Sequence, residues 1–121
     1  MIVGIGTDIV SVQRLSCALE KVSARVFTAT ELAAAAGSAH RCEHLAGRWA
    51  AKEAFAKALG CGFGKKCSWQ DITVVNDASG KPEMRLDGIT LQTFKAIGGK
   101  QIHLSITHEK EYAAAFVILE G

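Results

Sequence analysis

Between Val3 and Ile9 the chain alternates with period two. Val3, Ile5, Thr7 and Ile9 fall on one side, and Gly4, Gly6 and Asp8 on the other, which predicts a strand. The face of Asp8 is otherwise bare, because both glycines lack side chains. A carboxylate at the end of such a strand needs solvent, a cation or hydrogen-bond donors. Ser11 can cap a helix running through about Glu20. Thr28 and Glu31 have capping-box spacing ahead of Leu32–Ala36, with Gly37 suited to the end of that run. Arg41 to Leu59 is rich in helix formers and stops at Gly60, which predicts a long helix. Gly60 to Ser68 reads as a loop. Strands are predicted at Ile72–Val75 and Glu83–Leu86 around the turn Asp77–Gly80. A helix over Gly88–Ile97 follows. Strands at Gln101–Thr107 and Tyr112–Leu119 then flank a turn at His108–Glu111. The pattern is α+β in a single domain, residues 1–121, without repeats or linkers.

Composition adds boundaries. At 121 residues, 49% hydrophobic and 21% charged, the chain has the make-up of a soluble domain with a real core. It contains no apolar run long enough to span a membrane, and its N-terminus lacks the pattern of a signal peptide. Cytoplasm is the expectation. Cys17, Cys42, Cys61 and Cys67 show neither a CxxC pair nor metal-ligand spacing, which fits free thiols in a reducing compartment. A net charge of +2 makes no case for nucleic acid.

Candidate chemistry concentrates in two stretches. In "LAGRWAAKEAFAKALG", residues 45–60, Trp49, Glu53 and Lys57 lie four apart on one helical face, with Arg48, Lys52 and Phe55 as the adjacent row. A solvated charged face is one reading. The density of alanine and aromatics implies that much of the helix is buried, which weakens that reading; basic groups beside a carboxylate on such a helix also suit an anionic ligand held together with a metal. In "QIHLSITHEKEYAAAF", residues 101–116, Ile102, Leu104 and Ile106 face a core. His103, Ser105 and Thr107 then lie opposite, beside His108. A lone turn histidine is usually a surface residue; hydroxyls next to it also suit a phosphate. Arg14, Lys21 and Arg25 return to one helical direction and form either a solvated face or a basic docking stripe for an acidic protein. Gly4-Ile-Gly6 is not a dinucleotide fingerprint, since a third glycine is missing and the pair lies inside a strand.

Four segments occur in order: "GIGTDIV" at 4–10 followed by Arg14, "RVFTATE" at 25–31, residues 45–60, and "LSITHEKEYAAAFVI" at 104–118. Together they resemble the holo-acyl-carrier-protein synthase family, the small 4'-phosphopantetheinyl transferases of fatty-acid synthesis, over essentially the whole chain. The resemblance implies a compact α+β subunit, its antiparallel sheet packed on a long central helix, assembling as a homotrimer with interface active sites. It implies transfer of the phosphopantetheine arm of coenzyme A to a serine of an apo acyl carrier protein, releasing adenosine 3',5'-bisphosphate. Asp8 and Glu53 would bind Mg²⁺, consistent with a cation that takes one or two carboxylates alongside phosphate oxygens. Lys57 would assist the leaving group. Arg48, Lys52, Thr107 and His108 would contact coenzyme A phosphates, with Gly60 and Gly62 in the nucleotide loop. Arg14, Lys21 and Arg25 would dock the carrier. The serine proton would pass to Glu53 or to a metal-bound water. On this reading Gly4 and Gly6 clear room beside Asp8 for metal and pyrophosphate.

The chain departs from the family pattern in places. Gly60-Cys61-Gly62 replaces the usual Gly-Thr-Gly, "FGKKCSW" is unusually basic, and "AAAAGSAHRCEH" is poor in charge. Two other classes compete: a catalytically silent carrier-binding module, and a metal-dependent phosphohydrolase. Intact Asp8, Glu53, Lys57 and His108 speak against the first. The lack of a second carboxylate–histidine cluster speaks against the second.

Overall fold

The computed structural model describes residues 1–121. Its first strand, β1 (Ile2–Ser11), passes directly into helix α1 (Val12–Val26), because Ser11 accepts a hydrogen bond from the Arg14 backbone nitrogen at 3.3 Å. Helix α1 runs beyond the predicted Glu20. Leu15, Leu19, Val22 and Val26 keep an inward stripe going, and nothing between them breaks it. Helix α2 (Ala29–Ala35) carries the predicted capping box: Thr28 Oγ1 accepts from the Glu31 nitrogen, and Glu31 Oε1 accepts from the Thr28 nitrogen.

Helix α3 (Arg41–Leu59) has the predicted bounds and closes on Gly60 with φ 83°. It is buried on nearly every side, as a helix without a broad polar face must be. After it come a 3-10 turn (Trp69–Asp71), missed by periodicity because it is one turn long, and the hairpin β2 (Ile72–Asn76) and β3 (Pro82–Leu86). Helix α4 (Gly88–Ala96) leads to β4 (Gln101–His108) and β5 (Tyr112–Glu120). His108 therefore ends a strand and does not open a turn.

The main sheet is antiparallel in the order β1-β5-β4. Its inner face, Ala113, Ala115, Val117 and Leu119 of β5, is buried against α3. Its outer face leaves Ile5, Ile9, Tyr112 and Phe116 exposed.

The glycines of β1 have a role other than the expected one. A Cβ on Gly6 would overlap the Ala54 carbonyl oxygen and come within 2.8 Å of the Ala58 nitrogen. One on Gly4 would overlap the Ala58 carbonyl oxygen. The bare face is filled by the backbone of α3. It is a seam of close strand–helix approach, and the space it clears is taken by protein, not by metal and pyrophosphate.

Candidate active site

The seam delivers Asp8 to the edge of α3. Two residues past Gly6 on the same strand face, the Asp8 carboxylate meets Lys57, whose ammonium donates to Asp8 Oδ1 and to the Thr7 carbonyl oxygen, each at 3.0 Å. Lys57 thus pairs with Asp8 rather than with Glu53 on its own helix. Glu53, one turn back, faces the same space. A pocket of about 440 Å³ opens there, with Asp8, Glu53, Lys57 and Trp49 on one side and Arg14 and Leu15 of α1 on the other. The direct β1-to-α1 turn at Ser11 is what brings Arg14 to the mouth.

Burial holds the Glu53 carboxyl above the ordinary glutamate range; the Asp8 charge pushes the same way, and Lys57 opposes both. Two carboxylates that repel in this way form a site that a hard divalent cation relieves, and two is a sufficient number for Mg²⁺. No group of three or more His, Cys, Asp or Glu side chains gathers into a fuller metal cage. All four cysteines are free. The buried Cys67 thiol is pushed up to about 11, chiefly by desolvation, so it is no nucleophile.

A second polar cluster lies around the N-terminal half of α3. Arg48 is 7% exposed and donates to Asn76 Oδ1 at 3.2 Å, while its Nε has no partner. His44, one turn earlier, has a buried Nε2 that is also unpartnered; burial, then the charges of Arg48 and His108, lower its basicity. His108 Nδ1 lies 3.6 Å from Glu43. An unpartnered guanidinium N–H beside a histidine is polar capacity that an anion would satisfy. His44 was not singled out by sequence; only its i,i+4 spacing to Arg48 could have marked it.

The remaining candidates divide. Arg14, Lys21 and Arg25 are all exposed on α1, and only Arg14 reaches the pocket. Gly60 and Gly62 take left-handed φ of 83° and 65° just beyond α3, outside the pocket lining. Thr107 points to the outer sheet face, away from Asp8. Lys52 does not take the phosphate-binding place expected of it. At 0% exposure, its ammonium is 2.6 Å from Glu31 Oε1 and has no surface to offer a coenzyme A phosphate. Its place on the helix row beside Arg48 is as expected, but that row turns into the core.

The chain belongs to the 4'-phosphopantetheinyl transferase superfamily, whose family model matches residues 4–117. Within it the chain falls among the holo-[acyl-carrier-protein] synthases and is an enzyme of that kind. It is 44% identical to the holo-[acyl-carrier-protein] synthase of Shewanella loihica, covering 100% of this chain and 99% of the relative. The crystal structure of a holo-(acyl-carrier-protein) synthase from Bacillus anthracis in complex with CoA (3',5'-ADP) superposes with a TM-score of 0.84 at 42% identity, over 98% and 96% of the two chains. The Neisseria meningitidis holo-[acyl-carrier-protein] synthase structure gives 0.92 at 37% identity over all of both chains. No helix is long and apolar enough to cross a membrane.

Proposed function

We propose that the protein transfers the 4'-phosphopantetheine arm of coenzyme A to a serine hydroxyl of an apo acyl carrier protein, releasing adenosine 3',5'-bisphosphate. The observation that carries this reading is the convergence of Asp8, Glu53 and Lys57 on a pocket whose other wall is the basic helix α1. Asp8 and Glu53 would hold Mg²⁺, which when bound supplies charge neutralisation at the pyrophosphate and aligns it for in-line displacement. Lys57, still 56% exposed on its side chain while paired to Asp8, is free to turn its one remaining donor to the leaving phosphate. Arg48 and His108 suit the other phosphates, with His44 beside them. Cytoplasmic carrier maturation for fatty-acid synthesis is the setting that fits.

The assembly proposed is a homotrimer with sites shared between subunits. Two features support it: the exposed apolar outer sheet face, and the separation of the Arg48–His108 cluster from Asp8 and Glu53 around α3. Five residues separate Arg48 from Glu53, which is about 140° of helix rotation. One chain thus offers two half-sites in different directions.

Incubation with apo carrier protein, coenzyme A and Mg²⁺ should add one phosphopantetheine mass to the carrier, read by mass spectrometry. Light scattering of the same sample should give three times the 12.8 kDa chain mass. An unmodified carrier would overturn the transferase reading, and nucleotide release without carrier modification would favour a hydrolase. Charge reversal at Arg14 (Arg14→Glu) should raise the carrier KM by about tenfold and leave the coenzyme A KM within about twofold, since rim charges act mainly on encounter with the charged partner. Equal effects on both constants would remove α1 as the carrier-docking helix.

A further inference from the structure

The Lys52 ammonium sits where five segments of the chain meet. It lies 2.6 Å from Glu31 Oε1 and donates to the Val26 carbonyl oxygen at 2.6 Å and to the Trp69 carbonyl oxygen at 3.2 Å. Those three acceptors use all three of its protons. Glu31 is equally committed, accepting from the Thr28 nitrogen at 2.9 Å and from the Val74 nitrogen at 2.8 Å. One ion pair therefore joins the C-terminus of α1, the start of α2, the middle of α3, the 3-10 turn and β2. Both side chains are 0% exposed.

The attraction between the two charges does not by itself account for such a pair. Desolvating two charges costs about what their attraction returns, and apolar replacements of similar volume often leave a fold as stable or more so. Directed bonds supply something else, which is orientation. The contact between β1 and α3 is a seam of glycines against helix backbone, with no interlocking side chains at Gly4 and Gly6. It sets how closely the helix approaches the strand, while at those two positions no directed side-chain contact specifies its rotation. Glu53 follows Lys52 directly, about 100° around the helix. Fixing Lys52 inward therefore fixes Glu53 toward Asp8. The same ammonium holds Val26, at the far end of the helix that carries Arg14 and Leu15. It also holds Trp69, whose ring stacks on Phe63 at 3.6 Å and lies 5.3 Å from the ring of Trp49 in the pocket wall.

We propose that the Lys52–Glu31 pair is a positioning device, locking the rotation of α3 across the glycine seam so that Glu53 faces Asp8 and the α1 wall stands at its working distance. This rests on the reading of Asp8 and Glu53 as the reaction centre.

The test replaces both charges together, Glu31→Leu with Lys52→Met. The double variant should stay folded at about 25 °C but melt below the parent, because the Val26 and Trp69 carbonyls and the Thr28 and Val74 amides lose their side-chain partners. Its kcat for carrier modification should fall about 100-fold, the scale of a 1 Å misplacement, and the Mg²⁺ concentration for half-activity should rise. Its near-ultraviolet circular dichroism, reporting the Trp49–Trp69 pair without metal or substrate, should change while the far-ultraviolet spectrum does not. A folded double variant with parental kcat and parental near-ultraviolet spectrum overturns the proposal. If it does not fold, Glu31→Gln, nearly isosteric and uncharged, takes its place with the same expected direction. Failure of both to fold also overturns the proposal, because the pair would then be a requirement of folding. An inactive parent would count against the functional reading, leaving the spectral comparison to judge the positioning role.

Discussion

Asp8→Ala and Glu53→Ala should each lower phosphopantetheine transfer by about 1,000-fold or more while the protein stays folded. The scale follows from losing one of two cation ligands, where a bound metal contributes several kcal/mol to stabilising the transition state and each ~1.4 kcal/mol is tenfold in rate. Folding should survive. The Asp8–Lys57 pair is half open to solvent on the lysine side, so it contributes ~1 kcal/mol or less. Removing Asp8 also takes away a charge that raises the Glu53 pKa. A carboxyl with a raised folded pKa contributes stability that is present at low pH and lost as pH rises through that pKa. At neutral pH, loss of the Asp8 repulsion therefore offsets part of the lost pair. Carrier mass spectrometry gives the rate, and thermal melts give the fold. Near-parental turnover of either variant at limiting Mg²⁺ would show that the pocket carboxylates are not the metal site.

Gly6→Ala should be the most damaging single methyl in the protein. Its Cβ would meet two backbone atoms of α3, the Ala54 oxygen and the Ala58 nitrogen, and neither can swing away as a side-chain tip could. Overpacking of this kind costs about 3 kcal/mol or more, a large part of the ~5–15 kcal/mol that holds a domain together. The melting temperature should drop by about 10 °C. Transfer should fall with it even well below the melt, because β1 can relieve the overlap only by carrying Asp8 away from Glu53. Gly64→Ala is the control: nothing lies within 4 Å of the added carbon, so its melt should match the parent within about 2 °C. A Gly6→Ala melt that also matched the parent would mean that the seam is looser than its geometry.

Much of this was legible in the chain itself. The capping box at Thr28 and Glu31, the stop at Gly60 and the strand periods of β1, β4 and β5 are local, and local sterics and hydrogen bonds decide them. The row of Trp49, Glu53 and Lys57 is equally local, since three residues four apart must share a helix face whatever surrounds it. The end of α1 was harder. Its last two turns are held by buried Val26 against other elements, a contact absent from any short window of sequence.

Lys52 and Lys57 mark the limit most sharply. Both are lysines of one helix among the same alanines, yet one is sealed in an ion pair with Glu31 and the other is at the pocket. A helix buried almost all round has no polar stripe to betray its orientation, so only its neighbours choose which lysine is enclosed. The glycines of β1 show the same thing from the other side. Residue order alone makes Asp8 end a strand face stripped of side chains and sets Glu53 and Lys57 on one helix row. What fills the stripped face was decided by tertiary packing. The α3 backbone closes onto Gly4 and Gly6, because a strand without Cβ atoms lets a helix approach to van der Waals contact, and that approach is what puts Glu53 beside Asp8.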